Sequence, residues 1–218
     1  MKVCTDACVL GATSDAKAAE NLLDIGTGTG LLSLMMAQRF PILEIEAVEI
    51  DPLARQQTEE NFIKSPWKNR LAIIEADIRQ FATNTVKKYS HIICNPPFYD
   101  DHLKPESKAN IVARHSEQLT LEELAKVVEQ LMLPDGKFSV LLPPDAMKQL
   151  EPIFISKKIT LNKKLLVKDR EELPVIRVVG EFSFDNSIFS ANTLTIKKDK
   201  EHYTEEFTHL LKDFYLAF

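Results

Sequence analysis

Two stretches of this chain place chemically capable residues at short spacing: Asn95-Pro96-Pro97-Phe98 and Gly26-Thr27-Gly28-Thr29-Gly30. The first follows Tyr89-Ser90-His91-Ile92-Ile93-Cys94, which reads as a short buried strand. Two prolines cannot continue a ladder, so the backbone leaves the sheet there. The turn then sits at a strand's carboxyl end, where open α/β sheets bind ligands. It offers an amide side chain, carbonyls followed by nitrogens without a hydrogen, and an aromatic face. Those groups suit a flat ligand carrying an NH2 group. Asn95 and the Pro96 carbonyl accept from the amine, while Phe98 stacks on the ring. Taken alone, the same stretch also reads as a rigid Pro-Pro corner.

The glycine stretch lies between a strand signal, Glu20-Asn21-Leu22-Leu23-Asp24-Ile25, and an apolar helical run from Leu31 to Ala37. Glycines there let the backbone approach a ligand closely, with helix amides directed at it. The spacing is Gly26-x-Gly28-x-Gly30, whereas the dinucleotide fingerprint has its last glycine one place later, at Leu31. Glu49 ends the next strand and is placed to accept both ribose hydroxyls of a nucleoside. Asp77 ends the third strand and is placed to accept from an adenine amine, with Ile50 and Ile78 on either side of the ring. Each acid alone also reads as a helix cap or a solvated loop residue. Three strand-end features in sheet order, followed by the Asn95 turn, are much harder to obtain by chance.

The elements needed to hold these residues are legible. Ile42–Ile50, Leu71–Glu75 and Phe138–Leu142 read as further strands, and Asp51-Pro52 opens a helix as cap and first residue. Thr120 with Glu123 caps a helix over 119–133, Pro134-Asp135-Gly136 is a turn, and 145–155 is a helix. Strands alternating with helices predict a parallel sheet covered on both faces. Ile159–Val167 and Val175–Phe184 follow each other with no helix between, which predicts an antiparallel addition at one edge. A helix over 203–215 ends the chain. Residues 99–117 carry no periodic signal and read as a loop that is either functional or disordered.

The 218 residues are 44% hydrophobic and 27% charged, enough for one substantial core. No run approaches a membrane span, and Cys4, Cys8 and Cys94 form neither a paired framework nor a zinc set. A cytoplasmic protein with free thiols, no metal and no membrane partner is expected. Net charge is −5, yet Lys157, Lys158, Lys163, Lys164, Lys168 and Arg170 crowd one segment. Such a run is either a solvated face or a patch that steers a polyanion. Lys64, Lys68 and Arg70 beside Trp67 are further candidates.

The segments Leu22-Asp24-Gly26-Gly28-Gly30, Ala47-Val48-Glu49-Ile50-Asp51, Ala76-Asp77-Ile78 and Asn95-Pro96-Pro97-Phe98 resemble those of class I S-adenosylmethionine-dependent methyltransferases. The fourth resembles the branch that modifies amino groups. More narrowly, the chain resembles the bacterial tRNA1(Val) (adenine(37)-N6)-methyltransferases. Met1-Lys2-Val3-x-Thr5-Asp6, Leu10-Gly11-Ala12, Ser65-Pro66-Trp67, Ala113-Arg114-His115 and Leu210–Leu216 carry that closer likeness. Members usually have a further segment ahead of the Lys-x-x-Thr-Asp motif, so an amino-terminally shortened form is expected. Cys8 also stands where glycine is common.

The resemblance implies one Rossmann-like domain over 1–218, with a mostly parallel seven-stranded sheet, an antiparallel edge strand and helices on both faces. Residues 1–19 would form a lid or entry segment and 99–117 a substrate loop. It implies S-adenosylmethionine held by Lys2, Thr5, Asp6, Asp24, Gly26, Thr27, Gly28, Gly30, Glu49, Ile50, Asp77, Ile78 and Asn95. The implied reaction is methylation of adenine N6 in tRNA at Asn95, Pro96, Pro97 and Phe98. Arg114, His115, Lys163, Lys164, Lys168 and Arg170 would contact the tRNA. No histidine is needed as a base, because the amine becomes acidic as the methyl arrives. Other N6-adenine targets in RNA or DNA, and a protein glutamine amide, use almost the same turn. A nicotinamide oxidoreductase conflicts with the glycine spacing, and a non-catalytic adaptor leaves Asn95 without a purpose. Monomer and dimer remain equally open.

Overall fold

In the computed structural model, residues 5–96, 119–185 and 188–215 are described. The elements that concern the first half of the chain are α1 (Thr5–Thr13), β1 (Asn21–Ile25), α2 (Leu31–Arg39), β2 (Glu44–Glu49), α3 (Pro52–Lys64), β3 (Leu71–Glu75), α4 (Ile78–Asn84) and β4 (Tyr89–Cys94). The second half supplies α5 (Leu121–Leu131), β5 (Met132–Leu142), α6 (Pro144–Ser156), β6 (Thr160–Lys168), β7 (Val175–Ser183), β8 (Ser190–Thr195) and α7 (Glu205–Leu211). They build one sheet in the order β3-β2-β1-β4-β5-β7-β6-β8. The first five strands of the chain pair in parallel, and β7 runs antiparallel to both β5 and β6.

Alternation along the strands sorts side chains into two cores. Leu23, Ile25, Ile92, Phe138 and Val178 face the layer of α4, α5 and α6. Leu22, Ile45, Ile93, Leu141 and Val179 face α1, α2 and α7. The helix starts follow the expected chemistry. The Asp51 carboxylate accepts from Ala54 N–H with Pro52 in the first turn, and Thr120 with Glu123 closes a capping box on α5. No helix among the described residues is long and apolar enough to cross a membrane.

Four features depart from the sequence expectations. The sheet has an eighth strand, β8, which pairs in parallel with β6. Its first four residues, Ser190-Ala191-Asn192-Thr193, are all exposed and give no alternation, while Leu194 is buried. The antiparallel strand is not at the edge: β7 is hydrogen-bonded on both sides, and β6 and β8 lie outside it. Pro134-Asp135-Gly136 lies within β5, where the stretch from Met132 to Lys137 pairs against only Tyr89 to His91 of β4. The turn-forming residues therefore make a bulge rather than ending the strand. Finally, residues 5–13, expected in a lid or entry segment, form a helix whose Ala7 to Ala12 are buried against α2 and α7. The apolar run Val9-Leu10 is core, not cover.

Phe138, Phe154 and Phe182 are fully buried and mutually in contact, with ring centroids 4.8 to 6.2 Å apart. They fasten α6 onto β5 and β7, beyond the glycine-loop half of the sheet. Phe154→Ala is expected to lower unfolding stability by about 3–5 kcal/mol. Urea denaturation measures it; a loss below about 1 kcal/mol would mean that the cluster does not anchor α6.

Candidate active site

The site is assembled from the carboxyl ends of β3, β2, β1 and β4. Strand register fixes it. Ile25 of β1 lies opposite Val48 of β2 on one side and Cys94 of β4 on the other, and Glu49 lies opposite Glu75 of β3. The glycine loop and Asn95 therefore leave adjacent strands side by side, about 4.8 Å apart in the sheet direction. The chain runs from β1 out to β3, then returns to the other side of β1 as β4. That reversal opens a crevice between β1 and β4, the place where open α/β sheets take ligands.

Gly26, Gly28 and Gly30 have φ of 66°, 63° and 82°, a left-handed backbone that other residues adopt with strain. At Gly30 space also excludes a side chain, since a Cβ would lie 2.7 Å from Phe62 Cε1. The helix carrying Phe62 grips the loop. Thr58 Oγ1 donates to the Gly28 carbonyl at 2.7 Å, and Asn61 Nδ2 donates to the Thr29 carbonyl at 2.8 Å. Neither residue stood out in the sequence. Their three-residue spacing on α3 was the available signal, and nothing in it says which loop they meet.

Three acids line this edge, each in a different state. Glu49, 8% exposed, accepts from Gly28 N–H at 2.8 Å through Oε2 and from Ile50 and Asp51 N–H at 2.9 and 3.0 Å through Oε1. A carboxylate has about four acceptor positions, so about one remains, on Oε2. It can take one ribose hydroxyl as it stands, not both. Asp77 caps α4 and is forked by Arg79, whose Nη1 also reaches Glu123 on α5 at 3.1 Å. Arg79 was not singled out in the sequence. Of the expected apolar pair, Ile50 is 58% exposed and available, whereas Ile78 is buried in the core.

Asp24 is fully buried. Its Oδ2 accepts from Thr27 Oγ1 at 2.6 Å, Ser33 Oγ at 2.7 Å and Ser33 N–H at 3.2 Å. Its Oδ1 has no partner among the described residues. An orphaned carboxylate oxygen under a glycine loop fits a cofactor with a hydrogen-bonding, cationic amino-acid tail, reached directly or through water. Together with the acceptor left on Glu49 and the exposed Ile50, the residues present fit a sulfonium nucleoside. Thr27 serves Asp24 rather than the crevice.

Asn95 is partly exposed at the mouth of the crevice, and Pro96 is buried. The titratable groups just before the turn are uncharged. Burial pushes the Cys94 thiol well above its ordinary range, with the Asp24 charge adding to it. Burial likewise brings His91 down to about 3, and its Nε2 lies 3.1 Å from Ser139 Oγ. Among the described residues the turn therefore presents neutral dipoles and no base. Lys2, Pro97, Phe98, Arg114, His115 and the loop 99–117 lie outside the described residues.

The basic candidates do not form one surface. Lys157 and Lys158 precede β6, at the sheet edge opposite Asn95, and Lys157 pairs with Glu129 at 2.6 Å. Lys163 pairs with Glu181 and Lys164 with Glu151. Among the described residues of this set, Lys168 and Arg170 emerge at the same edge as Asn95; Lys168 donates to the Glu171 carbonyl and Arg170 pairs with Glu172. A strand advances about 3.3 Å per residue and alternates its faces, which scatters a run that looks continuous in sequence. Arg70 is structural: it donates to the Ala37, Phe40 and Leu43 carbonyls at the end of α2. Trp67 packs against the α2-side core. Thr5 and Asp6 open α1, and Asp6 pairs with Arg177 of β7 at 3.1 Å.

Burial raises Asp24 from its ordinary 3.8 to about 6, against the hydrogen bonds from Thr27 and Ser33. The folded state then holds this proton more tightly than the unfolded chain. The resulting stability is full below about pH 4 and is lost as pH rises through about 6. The displacement converts to roughly 3 kcal/mol. Asp24→Asn, which carries no charge, should therefore gain on the wild type by roughly 2–3 kcal/mol between about pH 4 and about pH 8. Urea unfolding at the two pH values measures the gain, and a constant difference would exclude a titrating Asp24.

The methyltransferase small domain family matches residues 6–136 of the chain. A tRNA1(Val) (adenine(37)-N6)-methyltransferase from Dyadobacter fermentans is 40% identical over 223 residues, covering 100% of this chain and 92% of that protein. Its counterpart from Bacteroides fragilis is 38% identical over 218 residues, covering 99% and 91%. Among solved structures, a predicted O-methyltransferase from Agrobacterium tumefaciens superposes with a TM-score of 0.70 at 16% identity, covering 95% of each chain. TrmN from Thermus thermophilus gives 0.59 at 20% identity, covering 81% of this chain and 47% of that one. The structural likenesses establish the fold. The sequence likenesses cover 99–100% of the chain at 38–40% identity, and on them this protein belongs to the tRNA1(Val) (adenine(37)-N6)-methyltransferase family.

Proposed function

We propose that this protein methylates the exocyclic N6 of an adenine in tRNA, at position 37 of the tRNA1(Val) anticodon loop, using S-adenosylmethionine. The observation that carries the reading is the pairing of Ile25 with Cys94, which sets the glycine loop beside Asn95 at the β1/β4 reversal. When bound, S-adenosylmethionine supplies a methyl group activated on a sulfonium. Asp24 Oδ1, Glu49 Oε2, the exposed face of Ile50 and, at the β3 end, Asp77 are the groups that would hold it.

The protein's own task is alignment. The amine of adenine is a poor nucleophile because its lone pair is delocalised into the ring. The Asn95 side-chain oxygen and the Pro96 carbonyl accept its two hydrogens and pull the nitrogen towards a tetrahedral geometry, which withdraws the lone pair from the ring's π system. The same oxygens face the positive charge that develops on nitrogen, which is electrostatic stabilisation joined to proximity. The nitrogen then gives up its proton to water, and the neutral His91 and Cys94 are consistent with a turn that uses no base. Phe98 would stack on the extruded base, which leaves a loop at lower cost than a duplex. Lys168 and Arg170, with Arg114 and His115, are proposed phosphate contacts. The exposed pairs that Arg170 now makes are worth under about 1 kcal/mol, so a phosphate can replace them. Lys163 and Lys164 lie further from the edge and contribute less. A cytoplasmic location follows from this substrate.

Incubation with labelled cofactor and total tRNA, followed by nucleoside mapping, tests the reading. Label in N6-methyladenosine at position 37 is expected; label elsewhere, or only in DNA or protein, would replace it. Asn95→Ala should reduce transfer by roughly 10²–10³-fold while leaving cofactor affinity nearly unchanged. Turnover at the wild-type rate would remove Asn95 from the mechanism. Affinity for tRNA should fall steeply with added salt, since phosphates dominate the contact. Salt-independent binding would remove the basic contacts.

A further inference from the structure

β7 enters the sheet at the edge where the glycine loop and Asn95 leave it. Cys94 lies opposite Val140, Val140 opposite Gly180, and Leu142 opposite Val178. Continued outwards, that register sets Arg177 about two residues, roughly 7 Å, further out than Asn95 and two strand spacings, roughly 10 Å, to its side. The backbone there is irregular. Arg177 pairs with Val167 and Val175 with Lys168, so Ile176 is an extra residue, a bulge of the kind that re-aims a side chain. The Arg177 guanidinium lies on the α1 face, where Nε is 3.1 Å from Asp6 Oδ2, and Nη1 donates to the Ile176 carbonyl at 2.8 Å. These two contacts orient the group without using it up. Nη2 makes no hydrogen bond among the described residues, and the side chain is 33% exposed. Asp6 sits in the first turn of α1, where the helix dipole offsets part of its charge. The pair therefore keeps a positive solvent side.

We propose that Arg177 binds a backbone phosphate of the RNA strand beside the target adenosine. The proposal rests on the reading of Asn95 as the place where an adenine of tRNA is methylated. With the base seated at the turn, its sugar and phosphates stay outside the sheet edge, and Arg177 stands further out than Asn95. The order of strands across the edge agrees. It runs β4, β5, β7, β6, so Arg177 falls between the Asn95 turn and the outer cations Lys168 and Arg170. A strand of RNA passing from Asn95 to those cations crosses the end of β7. A planar guanidinium held on one side presents its remaining N–H groups as a fork, a shape that suits phosphate. The cofactor's carboxylate is the other anion this edge would meet. The glycine loop facing the cofactor, however, follows β1, three strand spacings from β7. A phosphate contact at Arg177 positions the RNA and reads no sequence.

Binding of an unmodified tRNA1(Val) transcript across a salt series, with calorimetric binding of S-adenosylhomocysteine in parallel, tests this without turnover. Arg177→Gln should bind the transcript roughly three- to tenfold more weakly, the range for one partly exposed charged contact. Its plot of log affinity against log salt should be less steep by about 0.7–0.9, the change for one lost phosphate contact. Affinity for S-adenosylhomocysteine should stay at the wild-type value. Arg177→Lys keeps the charge but loses the fork, and should keep the wild-type slope with an intermediate affinity. Misfolding lowers the fraction of protein that binds and leaves the slope alone. Asp6→Asn with Arg177→Gln leaves no unpaired charge, should show the same loss of slope, and carries the test if the single glutamine variant is unstable. An unchanged slope in the glutamine variants, or a lysine variant whose slope falls as far as theirs, overturns the proposal. A parallel loss of S-adenosylhomocysteine affinity overturns it too, by placing Arg177 on the cofactor. A wild type that binds neither tRNA nor S-adenosylhomocysteine overturns the methyltransferase reading itself, which is a separate result.

Discussion

Parallel pairing of β1 with β4 is the constraint on which the rest of the structure depends. With Ile25 opposite Cys94, the glycine loop and the Asn95 turn must leave the sheet together. A shift of one residue would place Asp24 and Ile93 on the wrong faces and exchange the two cores. The register is well determined because both faces are buried: Leu22 and Ile93 face α1 and α2, while Leu23 and Ile92 face α4 to α6. Core packing thus sets the distance between two groups whose chemistry has nothing to do with packing.

Charge at this edge is used mainly to hold backbone. Glu49 spends its acceptors on the amides of Gly28, Ile50 and Asp51, and Asp24 spends one oxygen on Thr27 and Ser33. Loops with several left-handed glycines are entropically expensive to order, and short charge-assisted hydrogen bonds offset that loss. What remains open is small: one oxygen of Asp24 and about one position on Glu49. An edge with few open acceptors discriminates by geometry, because a ligand that misses them leaves buried polar atoms unpaired. At the β3 end the arrangement differs, since Asp77 pairs with a side chain, Arg79, that has another partner.

The turn itself carries no titrating group. Burial keeps His91 and Cys94 neutral, and Asn95 and Pro96 contribute oxygens of fixed polarity. Such a site suits a reaction in which the nucleophile must be reoriented rather than deprotonated beforehand. Membership in an amine-methylating family agrees with that economy, since a charged base beside a sulfonium methyl would serve little purpose.

Local chemistry in the chain was enough to specify the strand-end residues. Glycine at three left-handed positions, Asp51-Pro52 at a helix start, Thr120 with Glu123 as a capping box, and prolines stopping β4 act over a few bonds, so the one-dimensional order carries them. The alternation of strands and helices gave the layered sheet for the same reason. Relations between distant segments were another matter. That β7 lies inside the sheet, that 190–195 adds a strand, that Thr58 and Asn61 hold the glycine loop, and that Arg79 occupies Asp77 all depend on which segments come to share an edge. The lysine run shows the limit most clearly. Adjacent in sequence, its members are spread along β6 from one edge of the sheet to the other, because an extended backbone advances and alternates with every residue.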